Sequence, residues 1–145
     1  AVVAGFMPFG AEIDPGPLLR ALAARGARLA LPRIEGDDLT FRLHAAGDPL
    51  IPGPWGIAEP AAGAPLARPE LILTPLLAFD RRGGRLGYGR GFYDRALRRH
   101  SAARALGVAF AAQETGEVPA SPSDTPLDAV LTETGMIDCA AHRGQ

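Results

Sequence analysis

Apolar residues in this chain fall in short runs separated by polar, glycine-rich or proline-rich turns. Residues 1–8 (Ala-Val-Val-Ala-Gly-Phe-Met-Pro) form a run of strand length with no polar alternation, as expected of a strand covered on both faces. Asp14-Pro15 then carries the signature of a helix start, with Asp14 as N-cap and Pro15 at the first helical position. Leu18, Leu19, Leu22 and Ala23 recur at helical spacing until Gly26. Residues 28–32 read as a second strand, and residues 39–45 alternate Leu39, Phe41 and Leu43 with Thr40, Arg42 and His44, as a half-exposed strand does. Residues 71–77 predict a central strand, 92–100 a helix, 103–110 another strand and 128–131 a short last one.

Strands alternating with helices predict a single α/β domain, three-layered (α/β/α) around a mainly parallel sheet. The domain is expected over residues 1–138, with 139–145 as a C-terminal tail. In such sheets ligands gather beyond the carboxyl ends of the strands. The turn after the first strand, which holds Glu12, the glycine-rich stretch before the second helix, and the loop with Asp124 all fall at such ends, so they are expected to converge. Residues 47–69 are rich in proline and glycine and predict a long extended excursion, a kind of loop that is usually functional in a compact domain.

The chain has 145 residues, enough for one core. Its formal net charge of −1 provides no uniform field to draw it to nucleic acid or an anionic membrane, so any anion has to be held locally. No apolar run reaches the roughly 20 residues needed to span a bilayer, and a cytoplasmic monomer is expected. The single cysteine, Cys139, has no partner for a disulfide and no motif that would make it a nucleophile. His44, His100 and His142 lack metal-ligand spacing, and Ser101, Ser121 and Ser123 lack the context of a hydrolase nucleophile.

Residues 83–95, Gly-Gly-Arg-Leu-Gly-Tyr-Gly-Arg-Gly-Phe-Tyr-Asp-Arg, concentrate glycines, arginines and aromatics where an apolar run hands over to a helix. Glycine permits positive φ and close approach of backbone to a ligand, and the first turn of a helix offers unpaired N–H groups to an anion. Arg85 and Arg90 could bind phosphate bidentately, and Asp94 could hold a divalent cation on phosphate oxygens. The spacing matches neither common phosphate-loop fingerprint, and composition alone leaves a flexible turn as the alternative. Trp55, the only tryptophan, stands between Pro54 and Gly56, either stacking on a flat ligand or anchoring its loop to the core. Glu12 and Asp94 could equally be helix-start charges, and Asp124-Thr125-Pro126 a simple turn. Arg81, Arg82, Arg98 and Arg99 read as surface residues.

The full string from Ala78 to Arg95 closely resembles the signature of the 5-formyltetrahydrofolate cyclo-ligase, or methenyltetrahydrofolate synthetase, family. The similarity extends, in the family's order, to Pro8-Phe9-Gly10-Ala11-Glu12-Ile13-Asp14, to the stretch from Pro52 to Pro60 around Trp55, and to Val118-Pro119 followed by the stretch from Asp124 to Val130. The resemblance implies a coenzyme A transferase-like fold. It implies ATP-dependent conversion of 5-formyltetrahydrofolate to 5,10-methenyltetrahydrofolate, with Mg²⁺. It further implies an ATP loop of Arg85, Leu86, Gly87, Tyr88, Gly89, Arg90, Gly91, Phe92 and Tyr93, in which Arg85, Arg90 and Tyr93 serve the chemistry. Folate contacts fall on Met7, Glu12, Trp55, Tyr88 and Phe92, and Mg²⁺ ligands on Asp94 and Asp124. Arg90 stands where many members have glycine. Members also carry an N-terminal helical segment whose Lys and Arg reach the ATP phosphates. This chain begins after that segment, so slow turnover is expected, or a folate-binding remnant without the chemistry.

Overall fold

The computed structural model describes residues 1–119 and 124–143; Ser121, Pro122, Ser123 and the end of the C-terminal tail lie outside them. The strands are β1 (Val2–Ala4), β2 (Arg28–Glu35), β3 (Asp38–Leu43), β4 (Leu50–Pro52), β5 (Ala58–Pro60), β6 (Leu71–Thr74), β7 (Ala78–Phe79), β8 (Arg85–Leu86), β9 (Arg104–Val108), β10 (Ala129–Thr132) and β11 (Gly135–Asp138). The helices are α1 (Gly16–Ala24) and α2 (Phe92–Arg99). Seven strands form the central sheet in the order β11-β10-β9-β6-β1-β2-β3. The inner strands are parallel and both edges antiparallel, β3 against β2 and β11 against β10.

Strand geometry sends successive side chains to opposite faces, and the two faces are covered by different helices. Val3 and Leu73 point to one side, where they join Phe6 and Leu19 of the α1 layer. Ala4 and Ile72 point to the other, packing with Phe41, Leu76 and, from α2, Ala96 and Leu97. This is the expected three-layer arrangement. Both faces being covered explains why β1 and β6 lack polar alternation.

Several elements differ from the sequence reading in their extent. Strand β2 runs through Pro32 to Glu35, because it folds back on β3 through a tight turn at Gly36, whose φ is +65°. The central strand stops at Thr74, since Pro75 has no N–H to continue the ladder. The long excursion contains the antiparallel pair β4–β5. Asp14 Oδ1 accepts the Gly16 N–H at 2.9 Å, but the N-cap of α1 falls on Pro15 and not on Asp14, since the helix begins one residue late at Gly16; Ala23 is left exposed. The final strand is followed by β11, and Cys139 just beyond it is fully buried in the core. Arg143 Nη1 donates to the carbonyls of Arg82, at 2.9 Å, and Leu127, at 2.8 Å.

Candidate functional site: two clefts sharing one wall

The residues singled out in the sequence converge at the carboxyl end of β1 and β6. Between β6 and α2 the chain first makes the small β7–β8 hairpin, so the strand that enters the glycine loop is β8 and not the central strand. Asp80, in the turn of this hairpin, is buried and accepts three backbone N–H groups: Arg82 at 3.0 Å, Gly84 at 2.9 Å and Val118 at 2.9 Å. The carboxylate thereby ties the hairpin turn to the segment around Val118. A Cβ on Gly84 would lie 2.5 Å from Asp80 Oδ2, so this turn closes only with glycine there. Asp80 has no role in the sequence reading, although an Asp followed by two residues and Gly-Gly is a turn signal that could have exposed it.

Arg85 leaves β8 and folds back under the loop. Its Nη1 donates to the Pro75 carbonyl at 3.1 Å, and its Nη2 lies 3.8 Å from Asp94 Oδ1. The guanidinium carbon sits 5.7 Å from the centre of the Tyr93 ring. Burial lowers the Arg85 pKa, against the opposing pull of Asp94 and Asp124. Asp94 is in the first turn of α2, which begins after Gly91 in the left-handed conformation (φ +70°). Its Oδ1 also accepts the Thr125 N–H at 3.2 Å, and the Thr125 hydroxyl donates to the Asp94 carbonyl at 3.2 Å. The loop bearing Asp124 is thereby pinned to the helix start.

From the other side, Glu12 Oε1 accepts the Phe9 N–H at 2.7 Å and Oε2 accepts the Tyr88 hydroxyl at 2.9 Å. The rings of Phe9 and Tyr88 meet edge to face, 5.7 Å between centres. Burial raises the Glu12 pKa despite these hydrogen bonds and the more distant Arg85. Burial and Glu12 together push Tyr88 up to about 12, and burial pushes Tyr93 up as well against the pull of Arg85. Both phenols therefore stay protonated at neutral pH, and Tyr88 donates to Glu12.

Two clefts meet here. One, about 520 Å³, is largely apolar, with Phe6, Met7, Ile34 and Leu39 inside and Trp55 and Tyr88 at its exposed rim. The other, about 550 Å³, is polar and is bordered by the hairpin turn 80–84, residues 116–119 and residues 124–126. Arg85, Asp94, Pro119 and Asp124 line both.

Met7, Glu12, Trp55, Tyr88 and Phe92 all line the apolar cleft, as do Leu86, Gly87, Gly89, Arg90, Gly91 and Tyr93. Of the expected ATP loop only Arg85 reaches the polar cleft. Arg90 instead lies over the Trp55 indole, 4.7 Å from the ring centre, and Phe92 meets that indole edge-on at 6.3 Å. Trp55 is 51% exposed, so it does not anchor its loop in the core, and its φ of +56° is rare for a side chain of this size. Arg81 and Arg82, read as surface residues, border the polar cleft, and Arg81 pairs with Glu114 at 2.8 Å. Arg99 ties α2 to β3 through Asp38 Oδ1 at 2.9 Å and the Leu39 carbonyl at 3.1 Å.

Asp94 and Asp124 both line the polar cleft and are oxygen donors of the kind a hard divalent cation takes. Among the described residues no group of three ligating side chains forms a cage of protein ligands alone.

A model of the 5-formyltetrahydrofolate cyclo-ligase family matches residues 1–133, nearly the whole of this fold, including every residue lining the apolar cleft and all but His142 of those lining the polar one. The chain belongs to that family. Over 140 residues it is 36% identical to the 5-formyltetrahydrofolate cyclo-ligase of Escherichia coli (strain K12), covering 90% of this chain and 76% of the relative. The cyclo-ligase of Mycolicibacterium smegmatis is 38% identical over 149 residues, covering 90% and 72% respectively. Among solved structures, the NMR structure of Aquifex aeolicus 5,10-methenyltetrahydrofolate synthetase superposes with a TM-score of 0.79 at 32% identity, over 95% of this cyclo-ligase family member and 71% of that chain. The synthetase from Mycoplasma pneumoniae, at 22% identity and a TM-score of 0.68, shares the fold. The cyclo-ligase family consists of ATP-dependent ligases that act on a reduced folate. No helix among the described residues is long and apolar enough to cross a membrane.

Proposed function

We propose that this chain converts 5-formyltetrahydrofolate and ATP to 5,10-methenyltetrahydrofolate, ADP and phosphate. The observation that carries the reading is the shared wall, which puts Arg85, Asp94 and Asp124 between an aromatic-rimmed apolar cleft and a polar one. A folded ring system fits the first cleft and a triphosphate the second, so the formyl oxygen and the γ-phosphoryl group meet at Arg85. The formyl oxygen forms a bond to γ-phosphorus as the β–γ bridge breaks and ADP leaves. N10 then attacks the formyl carbon and loses its proton, and the carbon–oxygen bond breaks with departure of phosphate. An amide oxygen leaves poorly and phosphate leaves well, so the protein contributes chiefly positioning and charge.

Each residue has a part in this scheme. Arg85, held by Pro75 and Asp94, offers a desolvated positive charge where the transferring group becomes more negative. Glu12 and Tyr88 form a hydrogen-bonded pair on the apolar side that can orient polar edges of the pterin. Trp55 and Phe92 present faces for stacking. Asp94 and Asp124 would hold Mg²⁺, which supplies neutralisation of phosphate charge when bound. The net charge of −1 gives no uniform field to draw the protein to nucleic acid or an anionic membrane, and a cytoplasmic monomer is part of this proposal.

The purified chain, mixed with 5-formyltetrahydrofolate, ATP and Mg²⁺, is expected to build up the near-ultraviolet absorbance of the methenyl product with equimolar ADP. Folate binding with no ATP-dependent product would overturn the reading and leave a binding remnant.

A further inference from the structure

The apolar cleft has two cations in its lining, Arg85 and Arg90. They differ in what they can still do. Arg85 is committed at the junction, bonded to the Pro75 carbonyl and beside Asp94, with its side chain only 6% exposed. Arg90 is at the exposed rim, and among the described residues no carboxylate forms an ion pair with it. What holds it is the Trp55 ring, 4.7 Å from its guanidinium carbon. Its backbone is fixed as well, because Arg95 Nη1 donates to the Arg90 carbonyl at 3.0 Å. A guanidinium over an indole is held through the ring's negative face, which leaves its N–H fork available to an anion.

A reduced folate is a flat ring system joined through an aryl group to a glutamate whose two carboxylates are ionised at neutral pH. The rings can be buried among Phe6, Met7, Ile34 and Leu39; the carboxylates cannot, since an unpaired buried charge is costly. They must therefore stay at the rim, where the lining acids Glu12, Asp94 and Asp124 repel them and, of the two lining arginines, Arg90 is the exposed one. Arg90 faces this cleft and not the polar one, which sets it apart from a phosphate ligand.

We propose that Arg90, stacked on Trp55, is the residue that recognises the glutamate carboxylates of the folate, and so sets the preference for glutamylated over non-glutamylated substrate. This rests on the apolar cleft being the folate site.

The test uses the full chain and binding as the readout, with the fluorescence of Trp55, the only tryptophan, reporting occupancy. Dissociation constants are measured for 5-formyltetrahydrofolate and for 5-formyltetrahydropteroate, which lacks the glutamate, on the native protein and on Arg90→Gln; ATP binding is followed by equilibrium dialysis. Loss of a charge-assisted contact is expected to cut the advantage of the glutamylated ligand by about ten-fold or more in the variant. The dissociation constant of ATP should shift less than about two-fold, since one uncharged substitution in the other cleft adds no contact to phosphate. An unchanged ratio between the two folates would overturn the proposal, as would a large loss of ATP binding with the ratio intact, which would assign Arg90 to phosphate. If neither folate binds the native protein, the folate reading of the cleft itself is wrong.

Discussion

The Tyr88 hydroxyl donates to Glu12 Oε2 at 2.9 Å, joining the loop after β1 to the glycine loop across 76 positions of sequence. Burial leaves this acid with a pKa above its ordinary value of 4.5, so the folded state holds the Glu12 proton more tightly than the unfolded chain does. The resulting contribution to stability is complete below 4.5 and is lost as pH rises through the higher folded value. At neutral pH the carboxylate is a burden on the fold. Glu12→Gln keeps both hydrogen bonds, its oxygen taking the Phe9 N–H and its amide donating to Tyr88. It is expected to melt higher than the native protein at neutral pH, with the advantage shrinking in acid, and to bind folate more weakly. Thermal melts across pH check the first point and fluorescence titration the second.

Asp94 receives Thr125 and faces Arg85, so its part in metal binding has to be separated from its part in positioning. Asp94→Asn retains an acceptor for Thr125 but loses its charge. Nucleotide affinity should fall several-fold with Mg²⁺ present and change little in EDTA. An equal loss in both conditions would assign the residue to holding Arg85.

Trp55 combines an exposed ring with a backbone in the left-handed region. Trp55→Ala should cost roughly 1–3 kcal/mol of folate binding if its stacking resembles that of bases on aromatic side chains. Trp55→Gly should lose the same affinity while folding more stably than Trp55→Ala by about 1 kcal/mol, because glycine relieves the positive φ. Chemical denaturation of the pair measures the difference, and equal stabilities would show that the backbone is unstrained.

Asp80 satisfies three N–H groups, and among the described residues no cation is one of its hydrogen-bond partners. Asp80→Ala is expected to destabilise the protein by about 3 kcal/mol or more, since each buried donor left without a partner costs about 1–3 kcal/mol. Gly84→Ala should be damaging for the complementary reason, its methyl meeting the carboxylate. Urea denaturation reads both, and a loss under 1 kcal/mol would show that water replaces the carboxylate.

Burial pushes the Cys139 thiol up to about 11. A thiol-specific reagent at mildly alkaline pH should leave Cys139 unmodified in the native protein and label it fully in denaturant. Rapid labelling of the folded chain would place the C-terminal segment outside the core.

Sequence periodicity sufficed for the layers, because Val3, Ala4, Ile72 and Leu73 carry the two-sided burial of a central strand and Leu18, Leu19 and Leu22 the one-sided burial of a covering helix. It fell short where pairing, not propensity, makes the element. Strand β11 exists because β10 offers it an edge, and β7 and β8 exist because Asp80 closes their turn. The candidate residues were legible in part from their chemistry, as at Arg85, Asp94 and Trp55, and as a fuller set from the resemblance, while the direction in which each side chain leaves its loop was not. Arg85 and Arg90 are five positions apart in one loop, yet only the first reaches the polar cleft. Nothing in spacing distinguishes a guanidinium drawn to a proline carbonyl from one drawn to an indole.

The wall common to the two clefts makes their occupants thermodynamic partners. Asp94 cannot be drawn toward a cation on one side without altering its hold on Arg85, which also faces the other. Whatever factor nucleotide applies to the affinity for folate, folate must apply to the affinity for nucleotide. On the proposed occupancy, a compound that fills the apolar cleft while displacing Arg85 weakens nucleotide binding without touching the nucleotide, whereas one that leaves Arg85 in place is not coupled to nucleotide through it.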